Sequence, residues 1–205
     1  MDRKTEGSSG RDYNAGPGGL GPEEFAAWYR ERSLEQWGRL DLGPLSRAAR
    51  ALMQARDEGR KIYVMGNGGS AAIASQWSVD LCKTASREGG KPLRCVSLTD
   101  NVPYLTAIGN DIGYDQVFVR QLENLLEKDD LVIVISGSGN SPNVVKAAEY
   151  ARSKGARTVG LLGFDGGKLK SLVDIPVLVP CDQYGVVEDL HQAMTHILTF
   201  YLRQA

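Results

Sequence analysis

Leu131-Val132-Ile133-Val134-Ile135-Ser136-Gly137-Ser138-Gly139-Asn140-Ser141 is the stretch that decides the fold: an unbroken apolar run that gives way to a glycine- and serine-rich loop and then to Pro142 and a helical pattern as far as Lys154. Five apolar, mostly β-branched residues in succession suit a strand covered on both faces, as in a parallel sheet. Proline suits the first turn of a helix, where its missing N–H costs nothing. The same order of events occurs upstream. Lys61-Ile62-Tyr63-Val64-Met65 leads into Gly66-Asn67-Gly68-Gly69-Ser70 and then into a helical segment from Ala71 to Lys83.

Both loops sit where a strand hands over to a helix. Glycine lets the backbone approach a ligand closely, a helix N-terminus offers unpaired N–H groups and a positive dipole end, and serine hydroxyls add hydrogen bonds to a phosphate. Either loop alone is equally well a structural turn; the pair points to an anion site. Neither fits the dinucleotide pattern G-x-G-x-x-G with its acidic ribose partner, and no Lys-Ser or Lys-Thr closes either loop as in a P-loop. The expected ligand is therefore a small phosphorylated metabolite.

Working outward, strands are expected at 61–65, 93–98, 131–135, 157–162 and 175–179. Helices are expected at 70–86, 102–109, 115–127, 142–154, near 168–172 and at 186–203. This alternation predicts an α/β fold with a doubly wound, parallel, five-stranded sheet, whose ligands bind outside the carboxyl ends of the strands. Two further helices precede it, one from Pro22 through Phe25, Trp28, Tyr29 and Trp37, the other from Pro44 through Met53 and closed by Gly59. The aromatic stripe of the first is read as an oligomer contact rather than a ligand platform. Residues 1–21, rich in Gly, Ser and charge, are expected to form a disordered tail or a partner-contacting arm, leaving residues 22–205 as a single domain.

With 205 residues and a net charge of −1, the chain has the size of one domain and no basic excess that would suit nucleic acid. Its apolar runs fall short of the roughly 20 residues a membrane helix needs, and its polar N-terminus has no signal-peptide core. A cytoplasmic location is expected. Cys82, Cys95 and Cys181 form no paired spacing, so no disulfide framework is expected and Cys95 reads as a small core residue.

Several motifs in one order resemble the sugar isomerase (SIS) domain family, and within it the phosphoheptose isomerase branch. They are Gly66-Asn67-Gly68-Gly69-Ser70, Ser97-Leu98-Thr99-Asp100, Ala107-Ile108-Gly109-Asn110-Asp111, the Ser136–Ser141 loop, and Glu188-Asp189-Leu190-His191 followed by His196. The resemblance implies a flavodoxin-like sheet and a homotetramer that binds an acyclic heptose phosphate between subunits. It also implies isomerisation of sedoheptulose 7-phosphate to D-glycero-D-manno-heptose 7-phosphate. By the same resemblance Ser136, Gly137, Ser138 and Ser141 hold the phosphate, Asn67, Gly68, Gly69 and Ser70 the sugar chain, and Asp100 and Asp111 the rim. SIS domains also occur as non-catalytic sugar-phosphate binders and as a replication-initiator-associating protein, and that alternative stays open here.

Interconverting a ketose and an aldose phosphate requires a base to remove a proton beside the carbonyl and an acid to complete the transfer. Gln76 and Asp80, four residues apart, lie about 40° apart on one helix face; Glu188 and His196 lie about 80° apart on another; His191 is about 140° from His196. The resemblance assigns Asp80, Glu188 and His196 as catalytic residues. In zinc-containing members these positions and a histidine in place of Gln76 form the metal site. A neutral amide oxygen is a poor zinc ligand beside imidazole. Two readings remain: one divalent metal on Asp80, Glu188 and His196, or no metal, with Glu188 or Asp80 as base and His196 as acid.

Overall fold

The structure, a computed structural model, describes residues 12–205. Two helices, α1 (Pro22–Arg39) and α2 (Leu42–Glu58), lead into β1 (Lys61–Met65), α3 (Gly69–Val79), β2 (Arg94–Ser97), α4 (Val102–Asp111) and α5 (Val119–Leu125). Then follow β3 (Leu131–Ser136), α6 (Pro142–Ser153), β4 (Arg157–Leu162), the single turn α7 (Leu169–Leu172), β5 (Ile175–Leu178) and α8 (Tyr184–Gln204). The five strands are all parallel, in the order β2-β1-β3-β4-β5. The chain reverses its winding direction between β1 and β3, so the loops that leave these neighbouring strands open a crevice at the carboxyl edge of the sheet.

The apolar run of β3 is buried at all six positions, which is why it shows no alternation of polar and apolar residues. One core layer packs α2, α3 and α8 on one face of the sheet around Leu52, Trp77 and Met194. The other packs α5 and α6 on the opposite face around Phe118, Leu122 and Ala148.

Departures from the expected elements are local. The helix expected at 70–86 ends as an α-helix at Val79 and continues as a π-helical turn, Asp80–Thr84, closed by the Ala85 N–H bonded to the Asp80 carbonyl at 2.8 Å. The helix expected at 115–127 is a 3-10 turn, Tyr114–Gln116, followed by α5. Helix α2 begins two residues before Pro44, because the Asp41 carboxylate accepts the Gly43 N–H at 2.9 Å and caps it there.

The tail expectation falls partly on residues 1–11, which lie outside the described residues. Residues 12–21 dock on the domain instead of forming a free arm. The Tyr13 ring stacks on Phe164 at 5.1 Å, its carbonyl accepts the Tyr184 N–H at 3.2 Å, and the Ala15 carbonyl accepts from Gln183 Nε2 at 3.3 Å. Apolar ring area and two backbone carbonyls fix this stretch, which a composition-based reading does not weigh.

Candidate functional site

The two glycine-serine loops face one cavity of about 260 Å³. Asn67, Gly68, Gly69 and Ser70 line one side; Ser136, Gly137, Ser138 and Ser141 the other; Tyr184 and Glu188 reach in from α8. Every phosphate and sugar-chain residue expected from the sequence thus meets the others here. The helices α3 and α6 both begin at this cavity, so two sets of unpaired N–H groups and two positive dipole ends converge on it.

The serine loop is held by its own hydrogen bonds. The Gly139 N–H donates to Ser136 Oγ at 3.1 Å, and Asn140 receives the Lys168 N–H at 3.0 Å while its amide donates to the Ser138 carbonyl at 3.0 Å. Gly139 has φ +65°, and a Cβ there would fall 2.0 Å from the Gly166 carbonyl oxygen. Glycine is required by that contact and by the backbone angle together. Since Ser136 Oγ accepts from Gly139, its own hydroxyl hydrogen stays available for a ligand oxygen. Ser138→Ala is expected to raise KM for a phosphorylated substrate by about tenfold with a smaller change in kcat. Steady-state kinetics check this, and an unchanged KM would remove the loop as the phosphate site.

Glu188 was expected on the metal and proton-transfer site. The structure sets its carboxylate against Gly69: a Cβ at that glycine would lie 2.3 Å from Glu188 Oε2. Burial, and then the neighbouring Asp189 charge, hold its carboxyl above the ordinary glutamate range. Tyr184 was not singled out by the sequence. Its ring lies 2.9 Å from where a Gly137 Cβ would stand, roofing the serine loop, and it packs edge-on against Phe164 at 4.7 Å.

Asp80, just past the end of α3, and His196, midway along α8, meet away from this cavity, with His196 Nε2 3.7 Å from Asp80 Oδ2. Gln76 Nε2 donates to Asp80 Oδ2 at 3.2 Å, the Thr84 hydroxyl donates to Asp80 Oδ1 at 3.1 Å, and Gln192 Nε2 lies 3.1 Å from His196 Nε2. Glu188 is eight residues from His196, a rise of about 12 Å along α8, so the three do not converge within one chain. One chain therefore does not bring Asp80, Glu188 and His196 together as a ligand set. Among the described residues no three His, Cys, Asp or Glu side chains group to hold a metal ion. Gln76 offers only a neutral amide where the resemblance places an imidazole, and its N–H is turned onto Asp80. That donor set does not fit zinc.

The two rim aspartates also lie apart from the cavity. Asp100 Oδ1 accepts from the hydroxyls of Ser75, Ser97 and Thr99, the last two at 3.1 and 3.2 Å. It is spent on tying α3 to the end of β2. Asp111 accepts from its neighbour Asn110 at 2.8 Å on the exposed end of α4. His191, whose role the spacing left open, is fully buried on α8.

A family model of the SIS domain matches residues 29–163. A phosphoheptose isomerase from Trichlorobacter lovleyi is 42% identical over 162 residues, which is 78% of this chain and 82% of that protein. The solved structure of a phosphoheptose isomerase from Francisella tularensis superposes with a TM-score of 0.83 at 29% identity, covering 91% of this chain and 100% of the other. That of a phosphoheptose isomerase from Neisseria gonorrhoeae superposes with a TM-score of 0.82 at 31% identity, covering 89% and 98%.

Proposed function

This chain belongs to the SIS-domain family, in its phosphoheptose isomerase branch, and on that premise we propose that it interconverts sedoheptulose 7-phosphate and D-glycero-D-manno-heptose 7-phosphate. One observation carries the reading: a buried-side carboxylate, Glu188, shares a single cavity with both glycine-serine loops. The serine loop and the α6 N-terminus bind the phosphate dianion. Glu188, with its carboxyl raised by burial, removes a proton from the carbon beside the carbonyl and returns it to the former carbonyl carbon of the enediol. A carboxyl raised above its ordinary range holds a transferred proton more readily than an ordinary glutamate does. His196, backed by Asp80 and about 12 Å along α8 from Glu188, is read as the second proton-transfer group of a site completed by a second copy of the chain.

The finer features of this reading are a homotetramer and a cytoplasmic setting. Support for assembly comes from the exposed apolar residues Val79, Ile197, Phe200 and Tyr201, which flank Asp80 and His196. A second copy covering that face would bring its own groups to the Asp80–His196 pair. No helix among the described residues is long and apolar enough to cross a membrane.

The proton transfers are read as the work of side chains, since Gln76 offers a neutral amide where zinc favours imidazole. The test is an isomerisation assay on sedoheptulose 7-phosphate, metal-stripped and then with zinc, manganese or magnesium. Conversion at equal rates in all four is expected. Conversion only with a metal would overturn the side-chain reading, and binding without conversion would move the protein to the non-catalytic sugar-phosphate binders.

A further inference from the structure

Asn67 is bonded from two directions by residues that the sequence did not associate with it. Its Nδ2 donates to Asn143 Oδ1 at 2.9 Å, and Asn143 Nδ2 donates back to Asn67 Oδ1 at 2.9 Å. The Tyr114 hydroxyl donates to the same Asn67 Oδ1 at 3.0 Å. An amide can be turned end for end without changing its shape, so the polarity of such a pair needs an anchor. The anchor is a backbone group: the Val144 N–H donates to Asn143 Oδ1 at 3.0 Å. A backbone N–H can only donate, so Asn143 must present oxygen there. Asn67 must then present Nδ2 to that oxygen and Oδ1 to the other side, and Tyr114 must donate.

Counting the valences of Asn67 gives the consequence. An amide oxygen accepts two hydrogen bonds and an amide nitrogen donates two. Both acceptor sites of Oδ1 are taken and one N–H is used. One N–H is left, with no protein partner among the described residues.

Asn67 also stands between two cavities. It lines the loop cavity already described, and with Tyr114, Asp115, Ser141, Pro142 and Asn143 it lines a second of about 480 Å³. The 3-10 turn that carries Tyr114 follows Gly113, at φ +144°, and is tied to α6 by the ion pair of Asp115 with Lys146. Asn143 is 2% exposed, whereas Tyr114 is 62% exposed. The buried partner fixes the polarity and the exposed one saturates it.

We propose that Tyr114 and Asn143 are positioning residues that make Asn67 a donor-only contact for an acceptor oxygen, carbonyl or hydroxyl, of the sugar chain, where the loop cavity opens into the second one. The inference rests on the sugar-phosphate reading above, because it divides the ligand between the serine loop, which takes the phosphate, and Asn67, which takes the chain.

Tyr114→Phe tests it, since the substitution deletes one hydroxyl from an exposed ring and leaves the fold unstrained. The affinity for sedoheptulose 7-phosphate is expected to fall about fivefold, because Asn67 Oδ1 loses the donor that saturates it and holds the amide in place for the ligand, while the affinity for inorganic phosphate stays as in the wild type. Asn143→Leu, which removes the polarity anchor at similar volume, is expected to act in the same direction and more strongly; its thermal unfolding is followed to show that it folds. A merely structural role would move both ligands together. Equal losses for the two ligands in Tyr114→Phe would overturn the proposal by assigning Asn67 to the phosphate, and no loss for either would overturn it outright. Wild-type protein that binds the sugar phosphate without converting it would refute the isomerase reading and leave this ratio to be decided by the same two affinities.

Discussion

Glu188→Gln is expected to lower kcat for isomerisation by about 10²- to 10⁴-fold, the range associated with loss of a general base or acid, while leaving KM and the folded structure close to those of the wild type. The substitution keeps the side chain's length and its contact with Gly69; it removes only the capacity to take up and release a proton. A change confined to kcat separates proton transfer from phosphate binding, which the proposal gives to the serine loop. The same group sets a pH dependence. Burial and the Asp189 charge hold the Glu188 carboxyl above its ordinary value, and a base must be ionised to act. The acidic limb of the kcat/KM profile should therefore lie above the usual carboxylate range, and it should disappear from the residual rate of Glu188→Gln. Full turnover in that variant would take Glu188 out of the chemistry.

The second large effect is on stability. His191 lies fully buried on α8, neither ring nitrogen has a hydrogen-bond partner of normal geometry, and burial pushes its pKa from 6.5 down to about 4. The nearby Leu162 carbonyl opposes that shift without cancelling it. Between pH 4 and 6.5 the unfolded chain binds a proton at this residue that the native protein refuses, so stability rises with pH across the window. The contribution is complete above about pH 6.5 and is lost as pH falls to about 4; for a shift of this size it amounts to roughly 3 kcal/mol. Urea unfolding at a series of pH values checks this. His191→Leu should flatten the curve in that window whatever it does to stability at pH 8, and parallel curves for the two proteins would place the acid sensitivity elsewhere.

The zinc question shows how far residue identity carries without geometry. Gln76 in a position that resembles a metal ligand signals a mismatch, but only the structure shows what the amide does there: it donates to Asp80 Oδ2 at 3.2 Å, the oxygen that faces His196 at 3.7 Å. Asp100 illustrates the opposite case. The resemblance implied a rim residue, yet three hydroxyls bond one of its oxygens. Two of those hydroxyls stand within three residues of it, and the decisive third, that of Ser75, comes from α3. Tyr184 could have been suspected from one signal, an aromatic residue at the start of the last helix, but nothing in the chain indicates that it roofs Gly137.

By itself the sequence determined the order of strands and helices, the parallel sheet and the two loops that face one cavity. These follow from unbroken apolar runs, helical periodicity and the turn chemistry of Gly, Ser and Pro, all of which act between near neighbours in the chain. The tertiary structure alone decided that Asn67 pairs with Asn143 across 76 positions, that Glu188 joins the loops, and that Asp80 and His196 meet away from it. Those outcomes depend on how α3, α6 and α8 seat against the sheet. That seating is fixed by the packing of the two core layers and by hydrogen bonds between distant segments, and no local pattern of residues records it.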